Sequence, residues 1–445
     1  MSTHTELIRL RLNSGPATAR QLAESIRISQ PTISRSLSKL GDEIIRIGSG
    51  PSIQYALKDA TRGMREVPIY RVDMEGKIRA LGMLIPVMPD GFVMLQDNGE
   101  ALHSHGLPWW LSDMRPQGYL GRAYVARHAA NLGLPSNLNE WHDSDAMRAL
   151  IAHGHDAVGN LLIGDVARGH FLQMPNPVPI TPSGQLFARL AKEAASGESP
   201  GSSAGGEQPK FTAFVQTDLG AQHVLVKFTA DEKNPVTERW KDLLLAEHLA
   251  SETLREAGIS ATKTQIVDHD LQRFLMIHRF DRVTLLGRRG LFSLSTLDAE
   301  FVGLGTGGWH IATKRLLQAQ VITAEAFHSA SLLYAFGRLI GNTDMHFGNI
   351  SFMSEHGRPY HLAPAYDMLP MTFSPKAGGG IANTIIAPLV DAGIDSNTWN
   401  KALALARSYL TRLENEDGFN HSFTTCLIAL RASIEETATQ ISRLA

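Results

Sequence analysis

The segment AFGRLIGNTDMHFGNISFM, residues 335–353, constrains the fold more than any other part of the chain. Its apolar first half predicts a helix, its last residues predict a strand, and the turn between them carries Asp344, His346 and Asn349. An aspartate in such a turn accepts the proton of an attacking hydroxyl, and an asparagine five residues on coordinates Mg²⁺ in phosphoryl transfer. A second carboxylate, Asp367, follows in HLAPAYDMLPM. Loop aspartates often only cap turns, but the joint pattern predicts oxygen ligands for a hard cation.

A Gly- and Ser-rich stretch, residues 195–210, leads into two predicted strands joined by a turn. Glycines let backbone N–H groups approach an anion, and a lysine on a rigid strand supplies positive charge. A Gly/Ser stretch alone is usually a linker. The strands and the later motifs favour a phosphate site instead, and its candidate residues are Ser202, Ser203, Gly205, Gly206 and the strand lysine Lys227.

A long helix is predicted in VTERWKDLLLAEHLASETLREAGIS, and Gly258 ends it. Glu247 on this helix is placed to pair with Lys227, as the glutamate of a kinase αC helix does. A solvated helix carboxylate is the alternative. The next segment, QRFLMIHRFDRV, predicts an apolar strand and a charged turn, which is typical of a hinge between two lobes. We expect backbone groups near His278 and Phe280 to hold the edge of an adenine ring.

The first 62 residues predict a winged helix-turn-helix, with three short helices followed by a β-hairpin around SGPS. The third helix, QPTISRSLSKL, buries one apolar stripe and leaves a polar, basic face, which a reader of the DNA major groove requires. A winged helix used only for protein contacts is the alternative. The predicted DNA-contacting residues are Gln30, Thr32, Ser34, Arg35 and Lys39 on this helix and Arg46 in the wing.

The composition limits the class of protein. A chain of 445 residues with 43% apolar residues predicts two to four domains with their own cores. The formal net charge is −2, so any DNA-binding charge must be local. The single cysteine, Cys426, excludes an internal disulfide and a cysteine zinc site. No apolar stretch reaches the ~18 residues of a membrane span and no signal peptide is recognisable, so a cytoplasmic protein is expected.

The stretch that follows the first 62 residues alternates like several short strands and predicts a small β-rich unit. Trp109, Trp110 and Trp141 are expected to pack in its core rather than to form a ligand box. Its histidines His103, His105, His153 and His155 lack a coherent metal-ligand spacing and are expected to be scattered on the surface. Later in the chain, GLGTGG satisfies G-x-G-x-x-G but does not open a βαβ unit, so no dinucleotide site is expected there.

Together these motifs resemble the HipA family of bacterial serine/threonine kinase toxins. The similar stretches come in the family's order over residues 65–440 and include GSSAGGEQPK, HVLVKF, HRFDR, GNTDMHFGN and APAYDMLP. The resemblance implies an α+β chain with an N-terminal winged helix-turn-helix, a small β-rich subdomain and a two-lobed protein-kinase-like domain with a mainly helical C-lobe. The expected boundaries of these four parts are 1–62, 63–175, 176–281 for the N-lobe and 282–445 for the C-lobe.

The resemblance also implies an ATP- and Mg²⁺-dependent, growth-inhibitory protein serine/threonine kinase. In the family a serine of the glycine-rich loop is autophosphorylated, and Ser202 or Ser203 occupies the matching place. A dianion there would repel the phosphates of ATP. The implied roles in the site are phosphate binding for Lys227, nucleotide contact for His346, the catalytic base for Asp344, and Mg²⁺ binding for Asn349 and Asp367.

Two features depart from the family pattern. Many members have a lysine just before the metal-binding asparagine, where this chain has Gly348. Members are also usually paired with a separate DNA-binding antitoxin, whereas this chain has a winged helix of its own. The departure predicts a regulator that binds its own operator, as a homodimer if it contacts two half-sites, and leaves a partner antitoxin open.

Two other functions remain open at this point. DMHFGN is also similar to the D-L-H-x-x-N loop of aminoglycoside and choline kinases, which would make the chain a small-molecule kinase. The third possibility is a transcription regulator whose kinase-like half only senses nucleotide. A sensor has no need of Asp344 as a base, so the retained residues favour an enzyme.

Overall fold

The computed structural model describes residues 3–49, 52–174, 178–195, 208–218, 220–355, 357–376 and 378–444. Its N-terminal unit consists of α1 (His4–Leu12), β1 (Ala17–Thr18), α2 (Ala19–Ile26), α3 (Gln30–Leu40), β2 (Ile44–Ile47) and β3 (Gln54–Leu57). The strands form an antiparallel sheet in the order β1-β3-β2. Thr3 and Thr18 begin α1 and α2 with capping boxes, in which a threonine oxygen accepts a backbone N–H of the first turn. The predicted winged helix-turn-helix is therefore confirmed.

A five-stranded antiparallel sheet and three helices make up the middle unit. The strands are β4 (Val67–Val72), β5 (Ile78–Val87), β6 (Gly91–Gln96), β7 (Ala101–Ser104) and β8 (Leu161–Ile163), in the order β7-β6-β5-β4-β8. The helices are α4 (Gly118–Leu132), α5 (Asp143–His153) and α6 (Gly164–Gln173). Trp141 is buried between α4 and α5, and Trp109 and Trp110 pack against core clusters, as expected of core side chains.

Four histidines of the middle unit lie close together. The ring centroids of His128 and His153 are 4.2 Å apart, and those of His155 and His170 are 5.3 Å apart. The rings of His153 and His170 are stacked at 6.3 Å. The expectation of scattered histidines was therefore wrong for His153 and His155, because the packing of the helices brings together residues that are distant in the sequence.

The wing packs against the sheet of the middle unit. Backbone hydrogen bonds join the two units, with the Asp59 N–H donating to the Pro86 carbonyl at 2.9 Å. Arg62 donates to the Asp59 carboxylate at 2.7 Å and to the Gly91 carbonyl at 2.7 Å, and its guanidinium lies over the Phe92 ring. One apolar cluster contains side chains of both units, namely Ile45, Ile47, Ala56, Ile85, Val87 and Val93.

A four-stranded antiparallel sheet with a helix on each face follows. Its elements are α7 (Gly184–Ala195), β9 (Lys210–Thr217), β10 (Gly220–Phe228), α8 (Pro235–Glu256), β11 (Thr264–His269) and β12 (Gln272–His278), with the sheet order β11-β12-β10-β9. Because side chains alternate along a strand, Phe274 and Met276 pack towards α7 while Leu275 and Ile277 pack towards α8. Lys227 is opposite Leu275 in the register, so it faces α8.

The C-terminal part is mainly helical. Its strands are β13 (Arg282–Val283), β14 (Gly287–Arg288), β15 (Gly290–Ser293), β16 (Ser351–Ser354) and β17 (His361–Leu362). Its helices are α9 (Leu294–Phe301), α10 (Trp309–Gln318), α11 (Ala324–Leu339), α12 (Ser396–Glu414) and α13 (Thr424–Ile441). These helices and α8 share the largest apolar core. Across the described ranges, no helix combines the length and the apolar character needed to cross a bilayer.

The glycines of GLGTGG lie between α9 and α10. The N–H groups of Leu304 and Gly305 donate to the Asp298 carboxylate at 3.2 and 2.7 Å. The loop therefore joins two helices and is held by a buried acid, whereas a dinucleotide motif joins a strand to a helix.

The Arg62–Asp59 pair generates a prediction about stability. Arg62→Ala should leave the Asp59 carboxylate, whose side chain is 2% exposed, without its cation. We expect the free energy of unfolding of the full chain to fall by about 2–4 kcal/mol in urea titrations. The exposed pair partner Arg20 gives a matched control, and Arg20→Ala should change nothing measurable. If the two variants had the same free energy of unfolding, the Arg62–Asp59 pair would not be important for the junction between the N-terminal and the middle unit.

Candidate functional site

A cavity of about 540 Å³ lies between the four-stranded sheet and the loops after α11 and β17. This volume is in the range of small-molecule sites. The middle unit reaches the cavity through Ser112, Asp113 and Gln117. Glu247 and Asp344, two of the predicted site residues, do not line the cavity. Each of them forms a hydrogen bond with a residue that does. The predicted residues that line the cavity are Lys227, His278, Phe280, His346, Asn349 and Asp367.

A buried lysine between two carboxylates forms one wall of the cavity. Lys227 Nζ on β10 donates to Glu247 Oε1 at 2.7 Å and to Oε2 at 2.8 Å. It also donates to Asp367 Oδ1 from the loop after β17. The side chains of Lys227 and Glu247 are 4% and 2% exposed, so both charges have left bulk water. A sheet strand, a helix and a C-terminal loop therefore meet at one ammonium group.

This arrangement sets the protonation of the three groups. Burial raises the pKa of Glu247 to about 7, an effect that Lys227 opposes and Asp367 increases. Burial by itself would lower the pKa of Lys227, but Asp367 and Glu247 outweigh it and raise that pKa. Burial likewise opposes the effect of Lys227 and Lys210 on Asp367, whose pKa is nevertheless lowered. Lys227 is therefore charged, and Glu247 is the carboxyl of the three groups whose pKa is raised.

Asn342 joins the loop that carries Asp344 to the loop that carries Asp367, and it is not among the predicted site residues. Its Nδ2 donates to the Asp367 carbonyl at 3.0 Å, and its Oδ1 accepts the Asp344 N–H at 3.0 Å. Asp367 has φ +54°, a left-handed conformation that a non-glycine residue rarely adopts, so this carbonyl needs a fixed partner. An asparagine two residues before the aspartate, in GNTD, was the available sequence signal, because that spacing is typical of an Asx turn.

The Asp344 loop is held by its own polar side chains. Asn349 Nδ2 donates to the Asp344 carbonyl at 2.7 Å and to its Oδ2 at 3.3 Å. His346 Nδ1 accepts the Gly348 N–H at 2.9 Å, and its Nε2 lies 3.7 Å from Asp344 Oδ1. Because Nδ1 accepts, the proton of a neutral imidazole is on Nε2, which faces Asp344. The Asp344 side chain is 52% exposed, so its carboxylate is open to solvent.

Gly348 fits this loop for a steric reason. A Cβ at position 348 would come within 2.8 Å of the His346 ring. The lysine that many HipA-like chains have here would therefore push the imidazole away from the Gly348 N–H. The glycine and the folded-back position of His346 depend on each other.

The predicted hinge has a second role that the sequence did not indicate. The His278 N–H donates to the Lys263 carbonyl at 2.9 Å, so it is already used within the protein. Phe280, two residues on, is therefore the candidate whose backbone groups can contact the edge of a base. The charged residues of HRFDR instead join this region to the middle unit. Asp281 accepts from Arg279 at 2.8 Å and from Arg282 at 2.6 Å, and Arg282 also contacts Asp156 of the middle unit at 3.1 Å.

Asp113 is a further residue that the sequence analysis missed. It lies in the 3₁₀ segment Trp109–Met114 of the middle unit and accepts the N–H and the hydroxyl of Ser293, both at 2.7 Å. Burial raises its pKa, although the bonds from Ser293 lower it in part. No motif surrounds Asp113 in the sequence, so only the packing of the middle unit on β15 brings it to the cavity.

The described side chains offer a limited set of metal ligands. No group of three His, Cys, Asp or Glu residues has a metal-binding arrangement within the described ranges. Asp367 supplies a carboxylate, and Asn349, whose amide nitrogen is held by Asp344, presents its amide oxygen. One carboxylate and one amide fit Mg²⁺, which keeps waters and substrate phosphate oxygens as its other ligands. The predicted loop residues Ser202, Ser203, Gly205 and Gly206 lie outside the described residues.

The predicted DNA-contacting residues of the N-terminal unit lie on α3 and, in the case of Arg46, on β2. Ile33, Leu37 and Leu40 of α3 are buried, which turns the opposite side of the helix outward. Thr32 is half-buried and its hydroxyl is 2.9 Å from that of Ser29. The exposed members of the predicted set are Gln30, Ser34, Arg35, Lys39 and Arg46.

Family models match three parts of the chain. Residues 8–43 match the bacterial regulatory protein, arsR family; residues 63–172 match the YjjJ-like toxin, middle domain; and residues 202–440 match the HipA-like C-terminal domain. The chain is 36% identical over 449 residues to Toxin YjjJ of Escherichia coli strain K12, with full coverage of both proteins.

Two solved structures are more distant. One is a chain from the Shewanella oneidensis MR-1 toxin–antitoxin complex of HipA, HipB and operator DNA, with 15% identity, a TM-score of 0.47 and coverage of 84% of this chain and 97% of that one. The other is the Helicobacter pylori proinflammatory kinase CtkA, with 12% identity, a TM-score of 0.37 and coverage of 53% and 90%.

A lysine–glutamate pair above an Asp-x-His-x-x-Asn loop, in one cleft between a sheet and a helical lobe, defines a protein of the kinase-like class. The winged helix-turn-helix precedes this unit in the same chain. The chain belongs to the family of YjjJ-like toxins with a HipA-like C-terminal domain.

The buried triad generates a prediction about pH. Lys227→Met leaves Glu247 and Asp367 as neighbouring carboxylates, and their repulsion raises their native pKa values. When the native pKa of a carboxyl lies above its unfolded value, which is 4.5 for Glu247, the protein loses stability as the pH rises from the unfolded to the native pKa. We expect Lys227→Met to lower the free energy of unfolding by about 3–5 kcal/mol near pH 8 and by less near pH 5.

Urea titrations at the two pH values test this expectation. The double variant Lys227→Met/Glu247→Gln is the control, because it removes one of the two repelling charges and should reduce the pH dependence. The same loss of stability at both pH values in Lys227→Met would show that the two carboxylates do not interact.

Proposed function

We propose that this protein is an ATP- and Mg²⁺-dependent serine/threonine protein kinase of the HipA toxin type, growth-inhibitory in the cytoplasm, with a built-in DNA-binding domain. The observation that carries the proposal is the contact of Lys227 with both Glu247 and Asp367 at the wall of the 540 Å³ cavity. Kinases use such a lysine for nucleotide phosphates and such an aspartate for the metal. The name of the 36% identical relative, a toxin, supports the growth-inhibitory part.

The residues of the cleft divide the work of phosphoryl transfer. Lys227 binds nucleotide phosphates while Glu247 orients it. Asp344, half exposed, accepts the proton of the attacking hydroxyl, and His346 Nε2 faces that carboxylate and orients it. Phe280 and the end of β12 hold the base. Asn349 and Asp367 would hold Mg²⁺, which supplies neutralisation of the charge on the transferred phosphate when bound.

The glycine-rich loop adds a proposed control. Ser202 or Ser203 is the autophosphorylated residue, as the resemblance to HipA implies. A phosphate dianion there competes for Lys227 and repels the phosphates of ATP, so the modified enzyme is silent.

The N-terminal unit supplies the proposed contact with DNA. The basic, exposed side of α3 enters the major groove and Arg46 contacts a phosphate. The match to the arsR family model supports this assignment. A symmetric operator would be bound by a homodimer. The resemblance to the HipA family, whose members are usually paired with a separate antitoxin, makes such an antitoxin the proposed protein partner.

The kinase assignment predicts that labelled phosphate appears on protein. Purified chain with γ-labelled ATP, Mg²⁺ and cell extract should label itself and at least one other protein. Asp344→Ala should lower the rate by about 10²–10⁴-fold, because general base catalysis is lost, and Asp367→Ala should also abolish labelling. Asp270→Ala, at an exposed aspartate in the β11–β12 turn, is the matched control.

The assay separates the alternatives. Label on a metabolite and none on protein would show a small-molecule kinase. Binding of ATP with no transfer in the wild type would show a nucleotide sensor. Either result would overturn the assignment as a protein kinase.

The DNA-binding assignment predicts a salt-dependent loss of affinity. Arg35→Ala and Lys39→Ala should weaken binding of the full chain to duplex DNA from upstream of its own coding sequence. Each lost phosphate contact should lower the slope of log affinity against log salt by about 1. Fluorescence anisotropy over a salt series measures both quantities. Lys401→Ala, an exposed lysine of α12, is the control, and identical binding of all variants would exclude α3 from the interface.

A further inference from the structure

A second cavity of about 400 Å³ lies in the middle unit, walled by α4, α5 and the 3₁₀ turn Gly154–Asp156 that follows α5. Its volume is in the range of sites for small organic molecules. Apolar side chains such as Leu120 and Leu150 line one part. The remainder is lined by aromatic and basic groups, which are Tyr124, Arg127, His128, His153 and His155.

The rings along this wall are held in place by each other. Tyr124 and His128, one turn apart on α4, have centroids 4.8 Å apart. The Tyr124 hydroxyl lies 3.0 Å from His153 Nδ1 on α5. The His128 and His153 rings are 4.2 Å apart at 32°. Three ordered rings facing a cavity form a surface suited to a planar ligand.

The histidines are not a metal site. No three of them, with or without the neighbouring acids, have a metal-binding arrangement within the described part of the chain. His155 Nδ1 is buried and has no hydrogen-bond partner among the described residues. At least one imidazole nitrogen of the wall is therefore left for a ligand.

The charge of the wall is basic and uncompensated. Arg127 has no ion-pair partner among the described residues, and it is half-exposed beside the histidines. Asp156 is the acid that lines the cavity, and it is already paired with Arg282 at 3.1 Å. An anion is therefore the ligand charge that the wall favours.

The histidines are neutral in the absence of such an anion. Burial lowers the pKa of His128, as do His153 and Arg127, and it lowers the pKa of His153 together with His170. The groups that face these two rings are thus Tyr124, Arg127 and the other imidazoles.

His155 differs because an acid faces it. Burial lowers its pKa, Asp156 opposes this, and His170, Arg288 and His153 lower it further. A bound anion would favour the protonated form of all three imidazoles that line the cavity, so protonation and binding are linked.

We propose that this cavity is a binding site for a planar organic anion, whose ring lies against Tyr124, His128 and His153 and whose charged group is held by Arg127. This site is distinct from the nucleotide cleft. Residues Met114 and Pro116 line the second cavity, while Ser112, Asp113 and Gln117 of the same segment line the cleft. The segment is thus a wall between the two cavities, and a ligand of one does not occupy the other.

The test uses two fluorescent probes on the full chain. 8-Anilinonaphthalene-1-sulfonate is a planar organic anion, and N-phenyl-1-naphthylamine is the same ring system without the sulfonate. We expect the anionic probe to bind more tightly than the neutral one. It should also bind more tightly near pH 5 than near pH 8, because the imidazoles, whose pKa values are lowered, become charged only towards acid pH. The neutral probe should show no such pH dependence.

Variants locate the site. Arg127→Ala should weaken the anionic probe roughly ten-fold, as expected for loss of one charge-assisted hydrogen bond. His128→Gln/His153→Gln should reduce the pH dependence, because His155 is then the one imidazole left in the lining. Ala123→Trp, at a half-exposed lining position of α4, should block the cavity without removing charge. Arg79→Ala, an exposed arginine on β5 outside the lining, is the control and should bind as the wild type does.

Three outcomes would overturn the proposal. Equal affinity for the two probes would remove the role of charge, and wild-type binding by Arg127→Ala and Ala123→Trp would place the probe elsewhere. Displacement of the anionic probe by excess ATP analogue would assign it to the nucleotide cleft. These results do not depend on kinase activity, so the proposal stands or falls separately from the proposed function.

Discussion

The structure depends on one buried cation. Lys227 lies between Glu247 of α8 and Asp367 of the loop after β17, with almost no contact with solvent. A buried charge whose partner is removed is strongly destabilising. Each of the three elements must therefore keep its position, because the charges on the other two would otherwise be buried without a partner. The sheet, the helix behind it and the loop after β17 are therefore fixed relative to one another. This constraint also sets the cavity, because all three elements line or support it.

The middle unit is more than a spacer. On one side it shares an apolar cluster and backbone hydrogen bonds with the wing of the N-terminal unit. On the other side it supplies Asp113 to the cleft and Asp156 to the arginine cluster of HRFDR. Because both junctions contain buried polar contacts, the DNA-binding unit and the kinase-like unit are held through one connector.

Gly348 shows how a departure from a family pattern is absorbed locally. The space that a lysine would need is taken by His346, whose Nδ1 holds the Gly348 N–H. Its Nε2 then faces Asp344. The position of the His346 imidazole beside the Asp344 carboxylate thus depends on the glycine at position 348.

Much of this was available from the sequence by itself. Helical and alternating patterns gave the winged helix and the β-rich unit, and D-x-H-x-x-N with a strand lysine gave the residues of the cleft, since short-range patterns are set by local backbone geometry and side-chain chemistry. Only the tertiary structure decided the rest. Asp113 and the group of four histidines depend on contacts between residues far apart in the chain, as does the bond from Asn342 to Asp367. Such contacts leave no periodic signal because they arise from the packing of whole elements.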